Sequence, residues 1–293
     1  MGERMGMIQA VRDMSPELKN RWIFAGLAVA VCLLSLFVFG PGSTFLVALF
    51  CGLQGWREYA RMMNLARKPS LHYLGYFFVL GMFVHAFTNG PQTLVWIWAA
   101  WAGAFLSLFL ENLAERRRTG LDPEIDVAQT WTDLCRFVLG IVYIFLIFGF
   151  IGPIVYRVKG EHLMLISLTT VFMGDSVAYF VGHKWGRRKL WRALSPGKTI
   201  EGAMGGYVGS ILGGILAWAI LYALTGRTIS FSLTLAIGIL APPLAQAGDL
   251  LESLMKRAAG RKDSGTFLPG HGGILDRTDG LAFVLPLVYF LAQ

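Results

Sequence analysis

Charge is scarce in this sequence. Only 15% of its residues are Asp, Glu, Lys or Arg, where a water-soluble domain carries about 25%. That deficit excludes an ordinary soluble domain of this length. Cysteine is scarce too: Cys32, Cys51 and Cys135 lie in or beside apolar runs, without the spacing of metal ligands. They read as small core residues, which excludes a zinc site and a disulfide framework. Internal repeats, low-complexity tracts and a separate soluble domain are also missing. No cleavable leader is expected, because the first 20 residues are polar and basic and the first apolar run is of spanning length.

What is abundant is hydrophobic. Such residues make up 55% of the chain, and the mean hydropathy is +0.56. Apolar runs fall at 22–40, 42–56, 72–88, 93–111, 135–156, 162–182, 203–224, 229–249 and 280–293. In hydrocarbon every backbone N–H and C=O must be paired within the chain, so these runs predict helices. The expected fold is an all-α polytopic membrane protein with about nine transmembrane helices, the second and last of them short. With the N-terminus placed in the cytoplasm, 23 of the 26 Lys and Arg residues fall on the cytoplasmic side, and only Arg157, Lys159 and Arg227 lie outside. This asymmetry sets the orientation. It also explains the net charge of +8 without invoking nucleic acid. Segment 112–134, with mixed charge, reads as a short interfacial helix and linker.

Acidic residues tell more, because topology does not require them. Asp175 lies inside an apolar run, about two helical turns from its cytoplasmic end, where an ionisable group is a functional candidate. The alternative is a helix-packing hydrogen bond. In SPGKTIEG, 195–202, Ser195-Pro196-Gly197 predicts a turn and Thr199 predicts a helix cap, with Gly202, Gly205, Gly206 and Gly209 allowing close helix contact. The GKT lacks the earlier glycine and the strand of a nucleotide-binding P-loop, although a turn that seats phosphate on backbone N–H groups stays open. The longest cluster runs from Gly248 to Asp279. Asp249, Ser253 and Lys256 share a helical face, with Glu252 and Arg257 beside them. Lys262, Asp263, His271, Asp276, Arg277 and Asp279 follow in a Gly-rich stretch. Carboxylates beside Lys and Arg at a membrane surface suggest a Mg²⁺ and phosphate site. His271, alone, either donates to phosphate or orders the turn.

The stretch SLMKRAAGRKDSGTFLPGHGGILDRTD, 253–279, resembles the signature of phosphatidate cytidylyltransferases (CDP-diacylglycerol synthases). That pattern is Ser-x-x-Lys-Arg, four residues, Lys-Asp, then Pro-x-His-Gly-Gly-x-x-Asp-Arg-x-Asp, and every fixed position is filled. DSVAYFVG and SPGKTIEG are similar to that family's inner segments, except that Gly197 stands where members often carry Lys. Over 1–170 the likeness is hydropathy plus WREYA, 56–60, and assigns no functional residue there. The chain accordingly divides into an N-terminal set of membrane helices, 1–160, and a catalytic set, 161–293.

The resemblance implies a bacterial inner-membrane enzyme that joins CTP to phosphatidic acid, releasing pyrophosphate and CDP-diacylglycerol. Its active site would face the cytoplasm at the ends of the C-terminal helices. It implies Asp249 and Asp276 as Mg²⁺ ligands and a K⁺ ion near Ser253. Lys256, Arg257, Lys262, Asp263, Arg277 and Asp279 complete the implied catalytic set. Asp175, Ser195, Lys198, Thr199, Glu201, Ser253, His271, Gly272 and Gly273 are the expected substrate-binding residues, with the bilayer and a second copy of the chain as partners. Competing readings are a non-catalytic or different-acceptor homologue and an ion-coupled transporter. A CDP-alcohol phosphotransferase would need a D-G-x-x-A-R pattern that the chain lacks.

Overall fold

The computed structural model describes residues 16–90, 94–119, 126–268 and 272–293. Each of the nine apolar runs lies on helix. The helices are α1 (Pro16–Phe37), α2 (Pro41–Met62), α3 (Pro69–Asn89), α4 (Leu94–Thr119), α5 (Val127–Ile144), α6 (Ile151–Val155), α7 (Gly160–Trp185), α8 (Ile200–Thr225), α9 (Phe231–Ala258), α10 (Leu275–Thr278) and α11 (Leu281–Leu291). Between α7 and α8 lies a small antiparallel hairpin, β1 (Lys189–Trp191) and β2 (Ser195–Thr199). The class is an all-α membrane protein.

Among the described residues six helical stretches are long and apolar enough to cross a membrane, and Gly26–Phe37 and Leu281–Leu291 are shorter apolar helices. The shortfall at α2 and α11 has a physical basis. Helix α2 continues through Arg57, Glu58 and Arg61, so polar residues dilute its apolar stretch. Helix α11 has 11 residues, which at about 1.5 Å each covers roughly half of a 30 Å hydrocarbon core. The α5 run passes through a π-helical turn, Phe145–Gly149, and continues as α6. The basic run of segment 112–134 is the end of α4 rather than a separate helix, and α5 begins at Val127.

Local chemistry marks the helix ends. Pro41 and Pro69 open α2 and α3, where a missing N–H costs nothing. Asp126 accepts from Gln129 N, Ser230 from Leu233 N and Thr199 from Gly202 N, so the expected Thr199 cap is present. The expected 195–197 turn is not: these residues begin β2, and the turn is Arg192–Leu194. Two strands leave both edges free, so Pro196 need not remove a ladder bond.

Helix α7 packs along α8, and α8 against α9. The close approach is visible at Gly206, where a Cβ would stand 2.9 Å from the Gly174 carbonyl oxygen and from Ala178 Cβ. In α9, Pro243 cannot donate to the Ile239 carbonyl one turn back. Tyr207 Oη of α8 donates to that carbonyl instead, at 2.9 Å. Tyr207→Phe is therefore expected to cost about 0.5–1.5 kcal/mol, read as a lower unfolding temperature in detergent. An unchanged unfolding temperature would show that the carbonyl finds another donor.

One apolar cluster runs from Leu36 through α2, α3, α5 and α7 to α9 and α11. Trp56 and Tyr59 of α2 are fully buried in it. Trp56 Nε1 donates to His72 O at 2.9 Å and Tyr59 Oη to Arg136 O at 2.8 Å. These bonds fix the rotation of α2, and with it the direction in which Glu58 points.

Candidate active site

The C-terminal end of α9, the loop after it and α10 bring several of the expected charges together. One turn apart on α9, Glu252 and Lys256 form an ion pair, Lys256 Nζ donating to Glu252 Oε2 at 2.9 Å. The same ammonium donates to Asp276 Oδ1 at 2.7 Å. Asp276 Oδ2 accepts from Ser264 N at 2.9 Å, Ser264 Oγ at 2.9 Å and Gly273 N at 2.8 Å. Burial pushes the Asp276 carboxyl up, but Lys256 and the N–H groups of Gly273 and Ser264 outweigh it and hold the group below the ordinary carboxylate value.

Gly272 explains part of the glycine pattern. Its φ of +84° suits glycine, and a Cβ there would stand 2.6 Å from Asp276 Oδ2. Any side chain would displace the carboxylate from its donors.

A second ion pair spans the hairpin and α9: Lys198 Nζ of β2 donates to Asp249 Oδ2. Ser253 Oγ lies 3.4 Å from Asp249 Oδ1. Asp249 and Lys198 are also the charges that act on Asp175. Asp175 lines an open cavity of about 590 Å³ between α7, α8 and α9, whose walls are mainly apolar and include Val171, Met204, Tyr207, Pro242 and Pro243.

Asp279 ends α10, two residues before α11, in a partly buried position. Burial pushes its carboxyl well above the ordinary value, and the neighbouring Asp249 and Glu252 carboxylates push it further. Its side chain is within hydrogen-bonding reach of Glu252, whose side chain is fully buried. Glu252 Oε1 has no hydrogen-bond donor among the described residues.

Other expected site residues stand apart from this core. Glu201 accepts from Arg187 N at 3.0 Å and Arg188 N at 3.1 Å, and from Arg188 Nε at 3.2 Å, so its carboxylate ties down the strand leaving α7. Thr199 caps α8 and Ser195 pairs with Trp191 in the hairpin. Arg257, Lys262, Asp263 and Arg277 are exposed at the rim, with Arg257 Nε donating to Leu194 O at 3.4 Å. His271 lies outside the described residues.

Among the described residues Asp175, Asp249, Glu252 and Asp276 share the ammoniums of Lys198 and Lys256, and Asp279 adds a fifth carboxyl beside Asp249 and Glu252. Two carboxyls in contact, one with an unpartnered buried oxygen, suit a proton or a hard cation. Among the described residues no group of three or more His, Cys, Asp or Glu side chains is arranged to hold a metal ion. The donor set fits a cation that takes one or two carboxylates and fills its shell with water and phosphate oxygens, as Mg²⁺ does.

One participant escaped the sequence reading. Glu58 of α2 is only 4% exposed. Its Oε1 accepts from Ile274 N at 3.1 Å and its Oε2 from Leu275 N at 3.2 Å. The signal was present in WREYA: an acid between two large aromatics near the end of an apolar run. Its partners lie more than 200 residues away, beyond the reach of any local pattern.

Comparison with known proteins finds a family and named relatives. The model of the cytidylyltransferase family matches residues 19–293. A Haemophilus influenzae protein named phosphatidate cytidylyltransferase is 31% identical over 287 residues, covering 92% of this chain and 96% of the relative. A protein of that name from Thermotoga maritima is 38% identical over 185 residues, 63% of this chain and 67% of the relative. One from Staphylococcus saprophyticus is 41% identical over 143 residues, 49% of this chain and 54% of the relative.

Proposed function

Since the chain belongs to the cytidylyltransferase family, we propose that it transfers CMP from CTP to phosphatidic acid, giving CDP-diacylglycerol and pyrophosphate. The observation that carries this reading is the paired arrangement of Lys198 with Asp249 and Lys256 with Asp276, beside a mainly apolar cavity edged by Asp175. It offers a charged face for a nucleotide and a greasy one for a lipid.

The reaction follows from the substrates' charge. A phosphatidate phosphate oxygen is already anionic at neutral pH, so it needs no general base. It attacks the α-phosphorus of CTP, a new P–O bond forms, and the bond to the β-phosphate oxygen breaks to release pyrophosphate. Lys198 and Lys256 are held by carboxylates in the resting site. When phosphates enter, these ammoniums turn toward them and neutralise the charge that gathers in the transition state. The exposed Arg257, Lys262 and Arg277 at the rim draw the triphosphate in from water. Magnesium held by Asp249 and Asp276 would supply further charge neutralisation to the phosphates. Asp276 would offer it only Oδ1, since three protein donors occupy Oδ2.

The distribution of Lys and Arg supports a cytoplasmic active site at the ends of α7, α8 and α9, in a bacterial inner membrane. CTP then arrives from the cytosol while the acyl chains stay in the bilayer, the glycerol end entering the cavity beside Asp175.

Isotope position tests the reaction class. Purified protein given phosphatidate and CTP labelled at the α-phosphate is expected to make labelled lipid, and CTP labelled at the γ-phosphate is expected to make none. Transfer of the γ label would identify a lipid kinase and overturn the proposal.

A further inference from the structure

We propose that Glu58 is a positioning residue for the reaction, fixing the loop that carries Asp276 from a helix in the N-terminal half of the chain. The inference deepens the cytidylyltransferase reading and rests on it for the kinetic part of its test.

The contacts of Glu58 are concentrated on this loop. Ile274 N and Leu275 N donate to its two carboxylate oxygens, and these are the two residues immediately before Asp276. Ser264 Oγ lies 3.5 Å from Glu58 Oε2 and 2.9 Å from Asp276 Oδ2. A hydroxyl has one proton, and the shorter distance assigns it to Asp276, so the hold of Glu58 on the loop runs through Ile274 N and Leu275 N. Both arms of the loop also need glycine where Glu58 lies. A Cβ on Gly265 would stand 2.8 Å from Glu58 Cδ, and one on Gly273 would stand 2.3 Å from Glu58 Oε2.

Between α9 and α10 the described loop has little regular structure beyond a single bridge, Leu268 to Gly272. Its backbone donors need fixed partners. A buried carboxylate is an expensive way to fill a core, since its desolvation must be offset by matched donors. An apolar side chain would serve packing alone. Besides the Gln54 side chain one turn back on α2, the donors that match Glu58 are the backbone groups just before Asp276, and Asp276 in turn fixes Lys256. The chain of contacts runs from Trp56 and Tyr59, which lock α2, through Glu58 to Asp276 and Lys256.

The test uses the full-length protein in detergent with two variants. Glu58→Gln keeps the shape but turns an N–H₂ toward one of the loop donors. Gly265→Ala sets a methyl group against Glu58; no positive φ opposes alanine there, and the three nearest atoms all belong to Glu58. In each variant kcat is expected to fall at least about 10-fold, on the scale of a misplaced catalytic group, with the KM for CTP within about 3-fold of the parent. Hydrogen exchange without substrate is expected to speed up in the peptide over 264–276 and to stay unchanged in α7 and α8. Parental kcat with parental loop exchange in Glu58→Gln would overturn the proposal. So would faster exchange throughout the molecule with a lower unfolding temperature, which would make Glu58 a general packing residue. If Glu58→Gln fails to fold, Gly265→Ala decides on the same two readings. If the parent protein makes no CDP-diacylglycerol, the reaction reading fails, while the exchange comparison still decides whether Glu58 holds the loop.

Discussion

Asp276→Asn is expected to lower turnover at least about 10²-fold, the scale on which preorganised electrostatic groups contribute to rate, and to destabilise the protein as well. The two losses have different sources in the same side chain. Asp276 Oδ2 accepts three hydrogen bonds and Oδ1 accepts from Lys256. Asparagine has one oxygen. If that oxygen keeps the loop donors, the amide N–H₂ faces the Lys256 ammonium; if it turns to Lys256, two backbone N–H groups and a hydroxyl lose their acceptor. Asp249→Asn is the control. Asp249 is more exposed and pairs with Lys198, so its substitution is expected to cost a similar factor in turnover with little change in unfolding temperature. Steady-state rates beside thermal unfolding in detergent check both. Near-normal turnover in either variant removes that residue from the catalytic machinery.

Lys256→Met is expected to have the largest combined effect. Lys256 joins the fully buried Glu252 to Asp276, and a methionine keeps much of its volume without the charge. Glu252 is then left with Asp279 beside it and without its Lys256 partner. Removing one partner of a buried ion pair costs about 3–5 kcal/mol, because the remaining charge has lost water and gained nothing. Turnover is expected to fall by more than about 10²-fold. The double variant Lys256→Met with Glu252→Gln separates the terms. It is expected to regain much of the unfolding temperature and none of the activity. Recovery of activity would show that Lys256 acts only to neutralise Glu252, not to meet phosphate.

Much of this arrangement was legible in the sequence because it is local. Apolar runs of span length gave helices, and Thr199 gave a cap since its side chain needs only the N–H three residues on. The i, i+4 relation on α9 that brings Glu252 to Lys256 was equally readable. Non-local pairing was not. Lys198 meets Asp249 across 51 positions, and Glu58 meets Leu275 across 217; no spacing rule reaches that far. Pro196 and Gly197 suggested a turn because both residues favour turns in isolation. The hairpin prevailed because Thr199 must start α8, which draws 195–199 back alongside β1. The Glu201 carboxylate was expected to meet substrate, and its observed partners are Arg187 and Arg188, residues 13 and 14 positions away on the far side of that hairpin.

The central claim is a lipid-dependent attack on the α-phosphate of CTP. Its most direct measurement is pyrophosphate release by the purified protein in detergent–phosphatidate micelles, with CTP, ATP, GTP and UTP compared, each with and without Mg²⁺. The account predicts release with CTP alone, dependent on both phosphatidate and Mg²⁺. Release without phosphatidate, equal release with ATP, or no release with any nucleotide from folded protein would contradict it.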